Sequence, residues 1–102
     1  MKKDQSAALA VVWTGPAWQQ YRMALDRLAV DRPQSAVNQD AAITQAMARL
    51  GSYPRMGRPG RRRGTRELVV PGTPFIVVYR IQEQGSSQIQ AIRFLHGAQQ
   101  WP

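Results

Sequence analysis

From Thr65 to Leu95 the chain reads as strand-like runs joined by turns so short that it must double back on itself. Thr65 to Val70, Phe75 to Gln82 (FIVVYRIQ) and Gln88 to Leu95 are rich in β-branched and aromatic residues. Between them stand Pro71-Gly72-Thr73-Pro74, with Pro and Gly placed for a type II turn, and the turn Glu83 to Ser87. Parallel neighbours need a crossover of roughly a dozen residues or more, so these runs form an antiparallel meander.

What precedes the meander has a different period. Leu9 to Thr14 (LAVVWT) reads as a short strand. Thr14 or Gly15 then caps a helix with Pro16 in its first turn, and Trp18, Tyr21, Leu25, Leu28 and Ala29 make an apolar stripe at helical spacing. Asp31-Arg32-Pro33 breaks it. A second helix is expected from about Gln34 to Leu50, with Ala36, Ile43, Met47 and Leu50 on one face and Gly51 as the C′ residue. The short link makes the two helices an antiparallel hairpin. Tyr53 to Gly64 (YPRMGRPGRRRG), with two prolines, three glycines and five arginines, reads as a loop.

The expected fold is therefore α+β in two layers, order β-α-α-β-β-β, with the helical hairpin packed on an antiparallel sheet. Residues 1–8 read as a flexible N-terminus and 9–102 as a single domain.

Period-two alternation puts Phe75, Val77, Tyr79 and Ile81 on one face of the middle strand and Ile76, Val78 and Arg80 on the other. In the last strand Ile89, Ala91, Arg93 and Leu95 alternate with Ile92, Phe94 and His96. Both faces are largely apolar, and two helices cover only one. The second face is expected to remain open as an apolar floor bordered by arginines, complementary to an acidic amphipathic chain. The alternative is that the 53–64 loop or the C-terminal tail folds over it.

The net charge of +8, with 12 arginines among the 14 basic residues, favours an acidic partner such as nucleic acid, a nucleoprotein or an acidic protein. Cysteine is absent and His96 is the only histidine, so neither disulfides nor a clustered metal site is expected, and no cofactor. No signal peptide and no apolar run of membrane-spanning length is visible, which gives the expectation of a soluble, cytoplasmic protein with no membrane partner.

Several features in order over the last 48 residues resemble the RelE/ParE superfamily of toxins, the ParE branch most closely. They are the GRPG-like loop Gly57 to Gly60, Arg66-Glu67-Leu68, the PGTP-like turn Pro71 to Pro74, Val78-Tyr79-Arg80, and Leu95-His96-Gly97. The resemblance implies the toxin of a type II toxin–antitoxin module, associated with plasmid stabilisation and growth arrest. Its partner would be a cognate antitoxin, acidic and partly disordered, in a hetero-oligomer. ParE-like relatives inhibit DNA gyrase and so DNA replication without catalysis of their own; RelE-like relatives cut mRNA on the ribosome. Where RelE-like toxins carry an arginine before the L-V-Y of the middle strand this chain has Ile76, and the tail has no tyrosine. Both departures favour the gyrase reading. The ribonuclease alternative would use Arg66, Arg93 and His96, and a further alternative is a detoxified regulatory binding domain. Where the family commonly links the helices through Asn-Pro, this chain has Arg32-Pro33, and arginine caps poorly, so Asp31 is a substitute cap.

Candidate target or nucleic-acid contacts are Arg58, Arg61, Arg62, Arg63 and Arg66, set against a solvated loop that only attracts the antitoxin. Candidate antitoxin contacts are Ile76, Val78, Arg80, Arg93, Phe94 and Trp101. The competing roles are a strand-end residue for His96, an ion pair with Glu67 or the tail carboxylate for Arg93, an exposed strand arginine for Arg66, and packing for Trp101.

Overall fold

In the computed structural model, which describes residues 8–97 and 99–102, the elements run β1 (Ala10–Trp13), α1 (Gly15–Asp31), α2 (Pro33–Ser52), β2 (Arg58–Pro59), β3 (Arg66–Val69), β4 (Phe75–Gln82) and β5 (Gln88–His96). Apart from Ala8, the expected flexible N-terminus lies outside the described residues. The α+β expectation holds, with two refinements. The sheet is mixed, in the order β1-β5-β4-β3-β2, because β1 runs parallel to β5 while the other pairs are antiparallel. It also has one strand more than expected: Arg58 and Pro59, read as loop, pair with Glu67 and Arg66. A proline is tolerated there because β2 is an edge strand and needs no N–H on its outer side.

Thr14 sets where α1 begins. Its hydroxyl accepts from the Ala17 N–H at 3.4 Å and donates to the Ala91 carbonyl at 3.0 Å, so the helix cap is fastened to β5. At the other end the Arg32 N–H closes α1 on the Leu28 carbonyl at 2.9 Å. Pro33, with no N–H to offer, opens α2 instead. Arg32 is the N-cap of α2 and supplies no side-chain cap bond; Asp31 lies in the last turn of α1 rather than substituting for it.

The expected helical stripe holds at Tyr21 and Leu25, with Leu28 packed against the core, and departs at its ends, Trp18 and Ala29. Ala17, Tyr21 and Leu25 are buried, whereas Trp18 is 49% exposed and lies edge-on to Trp13 and Tyr21. Gly51 does not terminate α2 but lies within it, and Tyr53 is the C-cap. Its role is close approach: a Cβ there would sit 2.8 Å from the Leu9 carbonyl oxygen, and the Leu9 N–H donates to the Gly51 carbonyl at 2.9 Å.

The main core lies between the hairpin and the sheet, where Tyr21, Leu25, Ile43 and Leu50 meet Val77, Tyr79, Ile89 and Phe94. A bulge in β5 decides which residues reach it. Val78 pairs with Arg93 but Tyr79 pairs with Ala91, so Ile92 is an extra residue. Strict alternation is interrupted at that point. Ile89, Ala91 and Phe94 face the helices, while Arg93 and Leu95 share the opposite face with Val78 and Ile76.

Candidate functional site

Glu67 carries the chemistry of the sheet's second face. As the β3 partner of Val78 it points away from the helices, and it is only 2% exposed. A buried carboxylate requires compensating donors. Arg58 Nη2 lies 3.0 Å from Oε1, and Oε2 accepts from the Arg61 N–H at 3.1 Å and from the Trp101 indole Nε1–H at 2.9 Å. Arg61 Nε adds an ion pair at 3.3 Å. Burial pushes the Glu67 carboxyl up. The bonds from Trp101, Arg58 and the Arg61 N–H, with the Arg61 charge, outweigh it and hold the group below its ordinary value.

This carboxylate collects the tail and the arginine loop onto the sheet. Trp101 is 7% exposed and covers a second cluster of Ile76, Val78 and Leu95, with Ile92 packed alongside. The tail is held further by Arg61 Nη1 on the Gln99 carbonyl at 3.1 Å and by the Gly97 N–H on the Pro74 carbonyl at 2.6 Å. The expected open apolar face is thereby corrected: the chain shields it with its own C-terminus, the alternative that the alternation pattern left standing. Of the candidate antitoxin contacts, Ile76 and Val78 are buried beneath Trp101, and Phe94 is in the main core on the other face, against Phe75 and Tyr21. Arg80 is exposed, with its Nε on Gln90 Oε1 at 2.8 Å, and Arg93 is half-buried.

The candidate ribonuclease residues are not brought together. Arg66 is bound through Nη1 to the carbonyls of Gly57 at 2.5 Å and Arg55 at 3.3 Å. His96 is exposed at the far end of β5, with its ring edge-on to Phe75. The β4 partners of Arg66 and His96 are Tyr79 and Phe75, four residues or roughly 13 Å apart along the strand. Arg93 lies on the other face and, among the described residues, is not the ion-pair partner of Glu67.

Among the candidate nucleic-acid contacts, Arg58 and Arg61 are anchored on Glu67 and Arg66 on backbone carbonyls, while Arg62 and Arg63 are exposed. Tyr79 fixes the start of this segment: its hydroxyl donates to the Pro54 carbonyl at 2.7 Å and accepts from the Gly57 N–H at 2.9 Å. The Glu67 hub was missed in the sequence, although it had one signal there. After Asp40 the chain has only two acidic residues, and Glu67 follows Arg66 four residues after the run Arg61-Arg62-Arg63, in a strand with an apolar partner face.

Among the described residues no group of His, Asp or Glu is arranged to hold a metal, and no helix is long and apolar enough to cross a membrane. The one histidine lines a groove of about 530 Å³ between the hairpin and the sheet, with Met23, Arg27, Leu28 and Phe94.

Comparison with known proteins places this geometry. The family described as ParE toxin of type II toxin-antitoxin system, parDE, matches residues 11–101. A curated protein of Sinorhizobium fredii, named "Putative toxin Y4kP", is 42% identical over 72 residues, 71% of each chain. A chain of the chromosomal ParDE toxin–antitoxin system from P. aeruginosa superposes with a TM-score of 0.74 at 24% identity, over 87% of this chain and 96% of that one. A chain of the RelBE2 toxin–antitoxin complex from Mycobacterium tuberculosis gives 0.61 at 26% identity, over 88% and 99%. With nearly the whole chain inside the family match, this protein belongs to the ParE toxins of type II toxin–antitoxin systems, within the RelE/ParE superfamily.

Proposed function

We propose that this toxin acts by binding DNA gyrase and halting DNA replication, without catalysis of its own, and that a cognate antitoxin neutralises it. The observation that carries the reading is the separation of Arg66, Arg93 and His96. General acid–base cleavage of RNA needs a proton acceptor and phosphate-neutralising cations within hydrogen-bond reach of one reacting group. Here Arg66 is committed to backbone carbonyls, Arg93 is on the opposite face, and His96 is at the other end of the strand. Ile76, at the position where RelE-like toxins carry an arginine, is buried under the tail.

An antitoxin partner is supported by the two structural neighbours, both of them toxin–antitoxin systems, and by the net charge of +8, which suits an acidic chain. With Ile76, Val78 and Leu95 covered by Trp101, the open groove beside Met23 and Leu28 is the better seat for apolar side chains of such a chain.

The test is a supercoiling assay with purified gyrase and increasing amounts of the toxin. Inhibition with trapped cleaved DNA is expected. Unimpaired supercoiling, together with ribosome-dependent mRNA cleavage that His96→Ala abolishes, would replace this reading with the RelE-like one. Normal growth on induced expression of abundant folded protein would point instead to a detoxified regulatory domain.

A further inference from the structure

The positive charge is concentrated in one half of the chain. Tyr53 to Pro102 holds eight arginines against two glutamates, whereas Met1 to Ser52 holds six basic residues against four aspartates. Of those glutamates, Glu67 is buried beneath Arg58 and Arg61, and Glu83 pairs with Arg55 at 3.2 Å. Arg62 and Arg63 are therefore left at the tip of the β2–β3 hairpin, exposed, with neither side chain bonded to another described residue.

The tip is a fixed support rather than a loose loop. Gly60 N–H donates to the Thr65 carbonyl at 2.8 Å and Thr65 N–H to the Arg62 carbonyl at 3.1 Å. Gly64 turns the chain with φ of 83°, and Glu67 holds the Arg61 backbone from below. Guanidinium groups on such a support lose less freedom on meeting a phosphate than they would on a mobile chain.

We propose that the β2–β3 hairpin docks on the phosphate backbone of double-stranded DNA, with Arg62 and Arg63 making the contacts and Arg58 and Arg61 adding charge behind them. Three features select this occupant. Single strands are usually held by stacking on aromatic rings, and Pro54 to Pro74 contains none, while nearby Trp101 is buried with its N–H occupied. An acidic peptide held on these arginines would gain neither an apolar floor nor a free strand edge to add to the charge. The floor is covered by Trp101, and β2 offers only two residues, one of them a proline. Arginine forks on a protruding β-hairpin remain, and these suit the closely spaced charges of a duplex.

The experiment is fluorescence anisotropy of the purified toxin with a labelled short duplex of arbitrary sequence across a salt series, with no gyrase present, so its result is independent of the gyrase reading. Two phosphate contacts predict a slope of about −1.8 in log K against log salt. Arg62→Ala with Arg63→Ala should weaken binding about tenfold at low salt and remove most of that slope. Both side chains are exposed, so the variant should fold, which thermal melting checks. Arg27→Ala with Arg32→Ala, the same charge loss on the hairpin side, should leave the slope nearly unchanged. Equal losses in the two variants would overturn the proposal by reducing it to net charge. So would single-stranded RNA or polyglutamate binding as tightly as the duplex.

Discussion

The indole N–H of Trp101 donates to the Glu67 carboxylate at 2.9 Å, joining residues 34 positions apart and closing the tail over the apolar cluster on the sheet's second face. The same contact supplies apolar cover to Ile76, Val78 and Leu95 and a hydrogen bond to a buried charge.

Removing the ring should therefore cost on both counts. Trp101→Ala is expected to destabilise the fold by about 3 to 5 kcal/mol, as large-to-small changes at buried aromatics do. Trp101→Phe keeps most of the cover and loses only the N–H, for about 1 to 3 kcal/mol. Urea denaturation of the three proteins measures both differences. Near-equal stability of the phenylalanine variant and the parent would show that the Arg58 and Arg61 donors suffice for Glu67.

The acid limb of the stability profile should carry the signature of Glu67. Its carboxyl is held below the ordinary value when folded, so the folded state releases that proton more readily than the unfolded chain. The stabilisation is complete above the unfolded value, about 4.3, and is lost as pH falls from there through the lower folded value. Urea midpoints should decline over that window, and Glu67→Gln should be less stable at neutral pH but show a flatter decline. An unchanged acid limb in the glutamine variant would assign it to other carboxylates.

At Gly51 helix propensity and tertiary packing make opposite forecasts. Alanine in a helix interior is favoured over glycine by about 1 kcal/mol. Here a Cβ would stand 2.8 Å from the Leu9 carbonyl, a backbone atom that cannot swing aside. Gly51→Ala is therefore expected to lower the melting temperature, with β1 displaced from α2. A rise would mean that the approach of β1 relaxes at little cost.

The Tyr79 hydroxyl should matter far more than its single oxygen suggests. Tyr79→Phe leaves the Pro54 carbonyl and the Gly57 N–H without their partner, an expected loss of about 1 to 3 kcal/mol. Gly57→Ala attacks the same contact from the other side, since its Cβ would fall 2.6 Å from the hydroxyl oxygen. A double-mutant cycle should find the two changes strongly non-additive. Additive losses would separate the loop anchor from the glycine.

Much of the molecule was legible in the chain. Pro33 ends one helix and opens the next because it lacks an N–H, and the Pro71-Gly72 pair turns β3 into β4, with Gly72 at φ of 76°. Both are local effects, readable within a few residues. The groupings that failed were Trp18, Gly51, Phe94 and the uncovered second face. Phe94, expected among the antitoxin contacts, lies in the main core because the extra residue Ile92 is set by pairing with β4, which no period within β5 records.

By itself the sequence determined the order of helices and strands, the hairpin, the meander and the family likeness, because propensity, turn chemistry and periodicity act over a few neighbouring residues. The tertiary structure alone decided that β1 lies beside β5, that the bulge turns Phe94 inward, and that Glu67 gathers Arg58, Arg61 and Trp101. Those outcomes depend on which distant segments exclude water from one another, and burial of that kind exists only after the chain has closed on itself.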